Sequence, residues 1–231
     1  MYPRGRSDRL LTDGVAAITR TDDVRQAVCT VCRRMYERGL IAGQDGNVSV
    51  RVDDDVVFVT PAGLTKVDVR PEDLVELGLD GTVRSGARRA SSELAVHLRA
   101  YQRRPDVRAV VHAHPPVATA FAVAGQSIDT SALAELRYTV GPVALVPYET
   151  PGTGAAADAF DAFWASHDAF LMANHGALTV GRSLTEAHQR MESLENGARI
   201  MWAARTLGPL SSLPADALAA LDALRQASRN A

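Results

Sequence analysis

Short valine-rich runs alternate with helical stripes along this chain, and the alternation constrains the fold more than any other feature of the sequence. The spacing of apolar residues predicts helices over residues 22–38, 118–124, 158–164, 185–206 and 213–225, and another from Ser91 or Ser92 to about Arg103. Runs rich in β-branched residues predict strands over residues 47–52, 56–60, 74–79, 108–114, 143–146, 169–173 and 177–180. Because several connections are hairpin-length, the pattern predicts an α/β protein with helices on both faces of a largely antiparallel or mixed sheet.

Length and charge limit the organisation and the partners. The chain has 231 residues, no internal repeat and no long linker, so we expect residues 1–21 to form an N-terminal extension and residues 22–231 a single domain. The chain has 25 Lys and Arg residues and 27 Asp and Glu residues, and the resulting net charge of −2 argues against a protein that binds nucleic acid or membrane surfaces. No apolar run approaches the roughly 20 residues of a spanning helix. We therefore expect a cytoplasmic protein.

The two cysteines, Cys29 and Cys32, form a C-x-x-C motif that raises the question of redox chemistry or zinc binding. The motif lies inside the apolar stripe of the first predicted helix, and no second cysteine pair accompanies it. Two cysteines are also too few for a secreted disulfide framework. We interpret both as residues that pack in the core.

The sharpest chemical signal is His112-Ala113-His114, at the end of a predicted strand that two prolines break off. Side chains two residues apart on a strand project from one face, so two imidazoles can bind one metal ion; two polar residues on a wet strand edge are the plainer interpretation. His175, beside Gly176 at another predicted strand end, is a third candidate ligand. Three neutral imidazoles and an open position are the usual composition of a catalytic zinc site. The remaining histidines fall in or beside predicted helices and are interpreted as structural or solvated: His97, His167 and His188.

A second signal is Ala90-Ser91-Ser92-Glu93, at the predicted start of the helix that leads into the histidine strand. Hydroxyl groups and free backbone N–H groups at a helix N-terminus form a site for anions. Plain capping, with Ser91 as the N-cap and Glu93 in the first turn, explains the same residues. Glu93 is also a candidate general base, since a carboxylate near a metal-bound carbonyl substrate can remove a proton from the adjacent carbon.

Two glycine-containing loops, residues 43–47 and 60–63, adjoin the predicted hairpin. Such loops can turn backbone N–H groups toward a phosphate, and they are also ordinary turns.

Taken together, these motifs resemble the class II aldolase/adducin family in order and spacing. The resemblance covers about residues 22–206, with a further match at Val146-Pro147-Tyr148, and within the family it is closest to the L-fuculose-1-phosphate aldolases. The motifs that establish it are Gly46-Asn47-Val48-Ser49-Val50-Arg51, Thr60-Pro61-Ala62-Gly63, Ser91-Ser92-Glu93, His112-Ala113-His114 and Asn174-His175-Gly176.

The resemblance implies a three-layer αβα domain with a mixed, mainly antiparallel central sheet, assembled as a homotetramer with active sites between subunits. It implies a zinc ion, with Mn²⁺, Co²⁺ or Fe²⁺ as alternatives, held by His112, His114 and His175, and it implies Glu93 as the acid/base. The phosphate site of the family maps onto four residues: Asn47, Gly63, Ser91 and Ser92.

The implied reaction is a class II aldolase cleavage of a ketose 1-phosphate, through a metal-stabilised enediolate, to dihydroxyacetone phosphate and an aldehyde. Two positions depart from the fuculose-phosphate pattern. Ala62 stands where those aldolases carry Thr or Ser, so one hydroxyl donor to the phosphate is missing. The tyrosine that donates a proton to the leaving aldehyde oxygen maps near Leu133, no tyrosine follows Tyr148, and Tyr138 is the alternative donor.

These departures leave two other functions to weigh. One keeps the metal and Glu93 but decarboxylates a hydroxy-carboxylate or dehydrates a methylthioribulose-type phosphate. The other is a non-catalytic module of the adducin type, against which the retained histidines and Glu93 argue, because a binding module needs no open metal site.

Overall fold

The computed structural model describes residues 21–230 of the chain. Eight strands form one sheet in this part: β1 (Asn47–Asp53), β2 (Val56–Val59), β3 (Val75–Leu77), β4 (Val83–Ser85), β5 (Ala109–Ala113), β6 (Val143–Val146), β7 (Ala169–Met172) and β8 (Gly176–Gly181). Their spatial order is β4-β3-β2-β1-β5-β8-β7-β6. Every neighbouring pair is antiparallel except β6 and β7, which run parallel. The predicted mixed, mainly antiparallel sheet is confirmed.

Helices cover both faces of this sheet. They are α1 (Thr21–Glu37), α2 (Leu94–Arg103), α3 (Pro116–Val123), α4 (Ala134–Thr139), α5 (Gly154–Asp158), α6 (Leu184–Leu207) and α7 (Ala215–Asn230) in the described residues. Helices α1, α3 and α6 share one buried apolar cluster with the sheet, and α2 and α5 share another. Successive side chains of β5 point to opposite faces of the sheet, so Val110 belongs to the second cluster and Val111 to the first. The chain is a three-layer αβα structure, as expected.

The first predicted helix shows why Cys29 and Cys32 are core residues. Its apolar stripe packs on the sheet with both sulfurs buried, and both cysteines are free thiols. Burial raises the pKa of Cys29 to about 11 and that of Cys32 to about 12, because an ionised thiolate loses its hydration in an apolar environment.

The predicted helix over residues 158–164 is wrong. Thr153 accepts a hydrogen bond from the amide of Ala156, so helix α5 begins at Gly154 and ends at Asp158. Residues 159–166 then form turns, in which amides bond to carbonyls three residues back, as Phe163 does to Phe160. The aromatic side chains of this segment pack against the sheet instead of continuing a helical stripe. Sequence reasoning also missed β4 and α4.

The predicted helix start at Ser91 or Ser92 is wrong as well, and the correction changes how these serines are presented. The Ser91 amide donates to the carbonyl of Thr60, and Ala90 forms an isolated bridge with Pro61, so the chain is held extended here. Ser92 and Glu93 form a turn, and α2 begins at Leu94. Ser91 is therefore not an N-cap.

The predicted extension, residues 1–21, lies outside the described residues apart from Thr21, which begins α1. In the part of the chain that is described, no helix combines the length and the apolar composition that crossing a bilayer requires.

Candidate metal centre and active site

Three histidines from distant parts of the sequence converge at one end of the sheet. The rings of His112, His114 and His175 lie at mutual centroid separations of 4.9 to 5.0 Å and at similar angles to one another. Nε2 of His112 and Nε2 of His114 are 3.2 Å apart. One nitrogen from each ring lies within 4.8 Å of the other two, so the three could hold a single metal ion.

Local backbone structure brings each ring to this point. His112 is the fourth of the five buried residues of β5, whereas His114 lies just beyond the strand, where its amide donates to the carbonyl of Leu40 (3.1 Å). His175 sits in the tight turn between β7 and β8, which depends on Asn174 in the left-handed conformation (φ 57°). Asparagine tolerates that conformation better than most residues, which explains its place beside the third histidine.

Two glycines make room for the cluster. A side-chain carbon at Gly176 would lie 2.6 Å from Cδ2 of His114 and 3.3 Å from Cε1 of His112. A side-chain carbon at Gly46 would lie 2.8 Å from the carbonyl oxygen of His112, and Gly46 also has a positive φ of 71°. Neither position accepts a larger residue without moving the strand end that holds the histidines.

Contacts around the rings leave nitrogen lone pairs free at the centre. In the neutral ring, Nδ1–H of His112 donates to the carbonyl of Ala177 (2.9 Å) and Nε2 carries the lone pair, and Nδ1 of His114 lies 3.4 Å from a carboxylate oxygen of Asp45. Burial, with His112 nearby, lowers the pKa of His114, and the same causes lower the pKa of His175 to about 4. Burial also disfavours the charged form of His112, but the nearby Glu93 carboxylate outweighs it and raises the pKa.

Glu93 closes the cluster on one side. Its Oε2 lies 3.1 Å from Nε2 of His112 and accepts a hydrogen bond from Nδ2 of Asn47 (2.7 Å). Its Oε1 lies 3.2 Å from Nε2 of His175 and is a buried oxygen without a hydrogen-bond partner among the described residues. Burial favours the neutral acid, but His112, His175 and Asn47 outweigh it and hold the pKa of Glu93 well below its usual range. Glu93 is thus an ionised carboxylate beside the three rings.

Glu93, His114 and His175 line a cleft of about 310 Å³, and His112, which is only 1% exposed, adjoins Glu93. All four residues of the predicted phosphate site line the cleft, and so does Ala62. Tyr138, the predicted replacement for the aldolase tyrosine, lies on α4 with 43% of its surface exposed and is not among the residues that line this cleft in the described chain. The cleft lining comprises Gln44, Asp45, Gly46, Asn47, Pro61, Ala62, Gly63, Lys66, Ser91, Ser92, Glu93, His114, Pro151 and His175.

Lys66 is a cleft residue that sequence reasoning missed. It is only 3% exposed, and its Nζ donates to the backbone carbonyls of Gln44 (2.8 Å) and Leu64 (2.9 Å), so it ties the two glycine-containing loops together. Among the described residues that line the cleft, it is the sole Lys or Arg. A signal for it was available, because Lys66 is the only lysine in the whole chain.

The donor set fits a divalent transition metal. One nitrogen of each imidazole lies within 4.8 Å of the other two. Oε1 of Glu93, which has no hydrogen-bond partner among the described residues, lies 3.2 Å from Nε2 of His175. Imidazole ligands suit zinc, iron and neighbouring first-row ions, and three protein ligands leave a position for substrate. The carbonyl of Ala177 and the carboxylate of Asp45 provide the outer hydrogen-bond partners that orient ligating histidines in such sites.

Comparison with known proteins gives consistent matches. Residues 26–202 match the family model of the class II aldolase and adducin N-terminal domain. The 5-deoxy-D-ribulose 1-phosphate aldolase of Bacillus thuringiensis serovar kurstaki is 36% identical over 194 residues, which is 83% of this chain and 90% of that protein. The 3-oxo-tetronate 4-phosphate decarboxylase of Escherichia coli (strain K12) is 34% identical over 184 residues, 78% of this chain and 86% of that protein. The solved structure of an L-fuculose 1-phosphate aldolase superposes with a TM-score of 0.81 at 28% identity, covering 89% of this chain and 96% of that chain.

Proposed function

The chain belongs to the class II aldolase and adducin family, and from this premise we propose that it is a divalent-metal-dependent aldolase that cleaves a ketose 1-phosphate into dihydroxyacetone phosphate and an aldehyde. Its relatives place it among the carbon–carbon lyases of that family. The observation that carries the proposal is that three converging imidazoles and the Glu93 carboxylate adjoin one cleft, whose lining includes Asn47, Ser91 and Ser92.

We assign the metal ligands as His112, His114 and His175, and zinc as the metal. Contacts of the rings support this assignment for His112 and His114. The His112 ring is oriented by its hydrogen bond to the carbonyl of Ala177, and the His114 ring lies beside the carboxylate of Asp45. A bound divalent cation supplies Lewis acidity, which withdraws charge from the carbonyl and hydroxyl oxygens of the substrate. Three neutral imidazole ligands would leave the full positive charge of such an ion available to negative charge that develops on the substrate.

The phosphate group is assigned to the part of the same cleft that the loops around Gly63 and Ser91 line. Gly63, Ser91 and Ser92 line it there, and Asn47 has a second amide N–H beyond the one that bonds Glu93. Lys66 lies beneath the same loops and adds a positive charge to a chain whose net charge is −2. A cation at this point offsets the hydroxyl donor that is absent at Ala62.

Glu93 is assigned the proton transfer that completes the triose phosphate. In the cleavage direction, the hydroxyl group on the carbon that becomes the aldehyde loses a proton, which the ionised Glu93 carboxylate takes up, and Glu93 then gives a proton to the carbon left by bond breaking. The Oε1 atom of Glu93 is the candidate for the second step, because it is buried beside His175 and has no hydrogen-bond partner in the described residues. Its partner oxygen, Oε2, is held by Asn47.

A second candidate is decarboxylation of a phosphorylated keto acid, and the match to a 3-oxo-tetronate 4-phosphate decarboxylase favours it. The chemistry is related, because losing carbon dioxide from such a substrate leaves negative charge on the carbon next to a carbonyl, as aldol cleavage does. Decarboxylation releases no aldehyde, so it needs no tyrosine to exchange a proton with the oxygen of an aldehyde. The absence of a tyrosine from the described cleft lining is consistent with this candidate.

The test is a product assay with protein loaded to one zinc ion per chain. The 1-phosphates of fuculose, rhamnulose, ribulose and 5-deoxyribulose are supplied separately, and triose phosphate is measured by coupled oxidation of NADH. Release from at least one sugar is expected, and no release from any would refute the aldolase proposal. Carbon dioxide release from 3-oxo-tetronate 4-phosphate identifies the second candidate, since triose phosphate alone does not distinguish the two reactions.

We also propose that the enzyme assembles as a homotetramer with active sites between subunits. Exposed apolar side chains near the end of α6, Ile200, Trp202 and Leu207, support an interface there. Light scattering coupled to size-exclusion chromatography tests the assembly, and a monomeric mass at micromolar concentration would contradict it.

A further inference from the structure

A buried chain of hydrogen bonds runs from Glu93 into the layer between α2 and the sheet. Nδ2 of Asn47 donates to Oε2 of Glu93 (2.7 Å), and Oδ1 of Asn47 lies 2.5 Å from Nε2 of His97. Nδ1 of His97 lies 2.7 Å from the hydroxyl of Ser49, and that hydroxyl lies 2.6 Å from the hydroxyl of Tyr101. The chain therefore links the proposed acid/base to polar groups deep in the core.

The spacing of these residues along β1 and along α2 brings their side chains together. Asn47 and Ser49 are two residues apart on β1, so both side chains project toward α2. His97 and Tyr101 are four residues apart on α2, so both project toward the sheet. All four side chains are buried, with His97 and Ser49 fully enclosed. Polar groups so placed need complementary donors and acceptors, which makes the direction of each hydrogen bond consequential.

The contacts of the Asn47 amide fix those directions. Nδ2 of Asn47 donates to Oε2 of Glu93 (2.7 Å), so its carbonyl oxygen, Oδ1, faces Nε2 of His97. A neutral imidazole has one donor and one acceptor, and a carbonyl oxygen on the Nε2 side requires the proton on Nε2. Burial, with His112 nearby, lowers the pKa of His97 to about 3, which keeps the ring neutral. Nδ1 then accepts from the hydroxyl of Ser49.

We propose that His97 is a positioning residue for Glu93: by donating from Nε2 to Oδ1 of Asn47, it holds the amide so that one of its N–H groups stays directed at Oε2 of Glu93. Oε2 is thereby occupied, and Oε1 is the oxygen left to exchange a proton with substrate. Without the His97 donor, Oδ1 of Asn47 loses its partner and the amide is held from one side only, so its N–H is free to move away from Oε2. The inference rests on the proposed acid/base role of Glu93.

The first test reads the His97 ring directly and needs no substrate. Nitrogen-15 NMR of the histidine rings in the full-length protein, with His97→Gln used to assign the signal, reports which nitrogen carries the proton. The expected result at neutral pH is a neutral ring protonated at Nε2. A ring protonated at Nδ1, or at both nitrogens, would overturn the inference whether or not an aldolase activity is found.

The second test uses matched variants of the zinc-loaded enzyme on whichever substrate it cleaves. His97→Met keeps the volume and removes the donor, so kcat/KM should fall by about 10- to 100-fold, the usual effect of losing an outer partner of a catalytic site. His97→Gln places an N–H near the position of Nε2 and should restore most of that loss. His188→Met is the control, because His188 is a buried histidine on α6 outside the cleft lining.

The outcomes separate the two proposals. The positioning role is supported if kcat/KM falls in His97→Met, is largely restored in His97→Gln and is unchanged in His188→Met. Equal losses with methionine and glutamine, at equal thermal stability and zinc content, would show that His97 only fills space. A wild-type enzyme without activity on any substrate would count against the proposed function, and the NMR result would still decide the orientation of Asn47.

Discussion

Gly176 lies directly against the ring of His114: a side-chain carbon at position 176 would lie 2.6 Å from Cδ2 of that ring and 2.6 Å from the carbonyl oxygen of Ala113. Non-bonded carbon atoms pack best at about 3.5 to 4.0 Å, so both contacts are too close. The geometry of the histidine cluster therefore depends on a residue without a functional group.

Replacing this glycine tests that dependence. Gly176→Ala should displace the end of β5 or the ring of His114, and we expect zinc affinity to fall by about 10-fold or more, as for other changes that disturb ligand orientation. Overpacking should also lower the free energy of unfolding by about 1–3 kcal/mol. Competition with a chromophoric chelator measures the affinity. Gly154→Ala is the matched control, since nothing lies within 4 Å of the added carbon; unchanged zinc binding in Gly176→Ala would disprove the steric account.

The role of Glu93 is tested by Glu93→Gln. The amide keeps an oxygen that can accept from Asn47, so fold and zinc content should be preserved, whereas turnover should fall by about 100-fold or more because the proton-transfer group is lost. Turnover is measured under saturating substrate, with metal content determined on the same sample. A variant that turns over like the wild type would remove Glu93 from the mechanism.

Lys66 is expected to contribute to phosphate binding and little to the chemical step. A hydrogen bond to a charged group contributes about 1.5–3 kcal/mol, so Lys66→Met should raise KM by about 10-fold or more with a smaller change in kcat. Burial lowers the pKa of Lys66, so the wild-type KM should begin to rise at a pH below the ordinary lysine pKa of about 10.4. Lys66→Arg, which keeps the charge, should recover part of the affinity; an unchanged KM in Lys66→Met would exclude the role.

The two cysteines should be inert in the native protein. Their raised pKa values, about 11 and about 12, leave almost no thiolate at pH 8, and burial excludes reagents. A thiol-specific reagent should react slowly with the native protein and rapidly with two thiols after denaturation. Rapid reaction of either thiol in the native state would mean that α1 does not pack as described.

Much of the fold follows from short-range patterns. The strand that ends in His112 is a valine run stopped by two prolines, and the long helix α6 follows an apolar stripe that begins after Ser183, whose hydroxyl caps it. The segment after Asp158 was mispredicted because its aromatic residues have helical spacing, whereas their packing against Phe170 sets the backbone. The start of α2 was misplaced because serines suggest caps, and the pairing of Ala90 with Pro61 is a long-range contact.

The residues of the site also differ in whether a local motif or only a long-range contact identifies them. His112, His114, His175 and Glu93 could be chosen from their motifs, because each motif has a chemical meaning in itself. His97 was interpreted as structural or solvated, since nothing in its own helix reveals that Asn47 lies beneath it. Lys66 was overlooked because a single lysine has no motif, and its contact with Gln44 spans two loops. Such residues become visible only when separate elements are placed together.

The most direct test of the account is diffraction from crystals of the zinc-loaded protein, recorded on both sides of the zinc absorption edge. We expect one anomalous peak per chain, bounded by Nε2 atoms of His112, His114 and His175, with Glu93 beside it. A peak bound by other residues, or no peak in protein shown to contain zinc, would contradict the proposal that these three imidazoles form the catalytic metal centre.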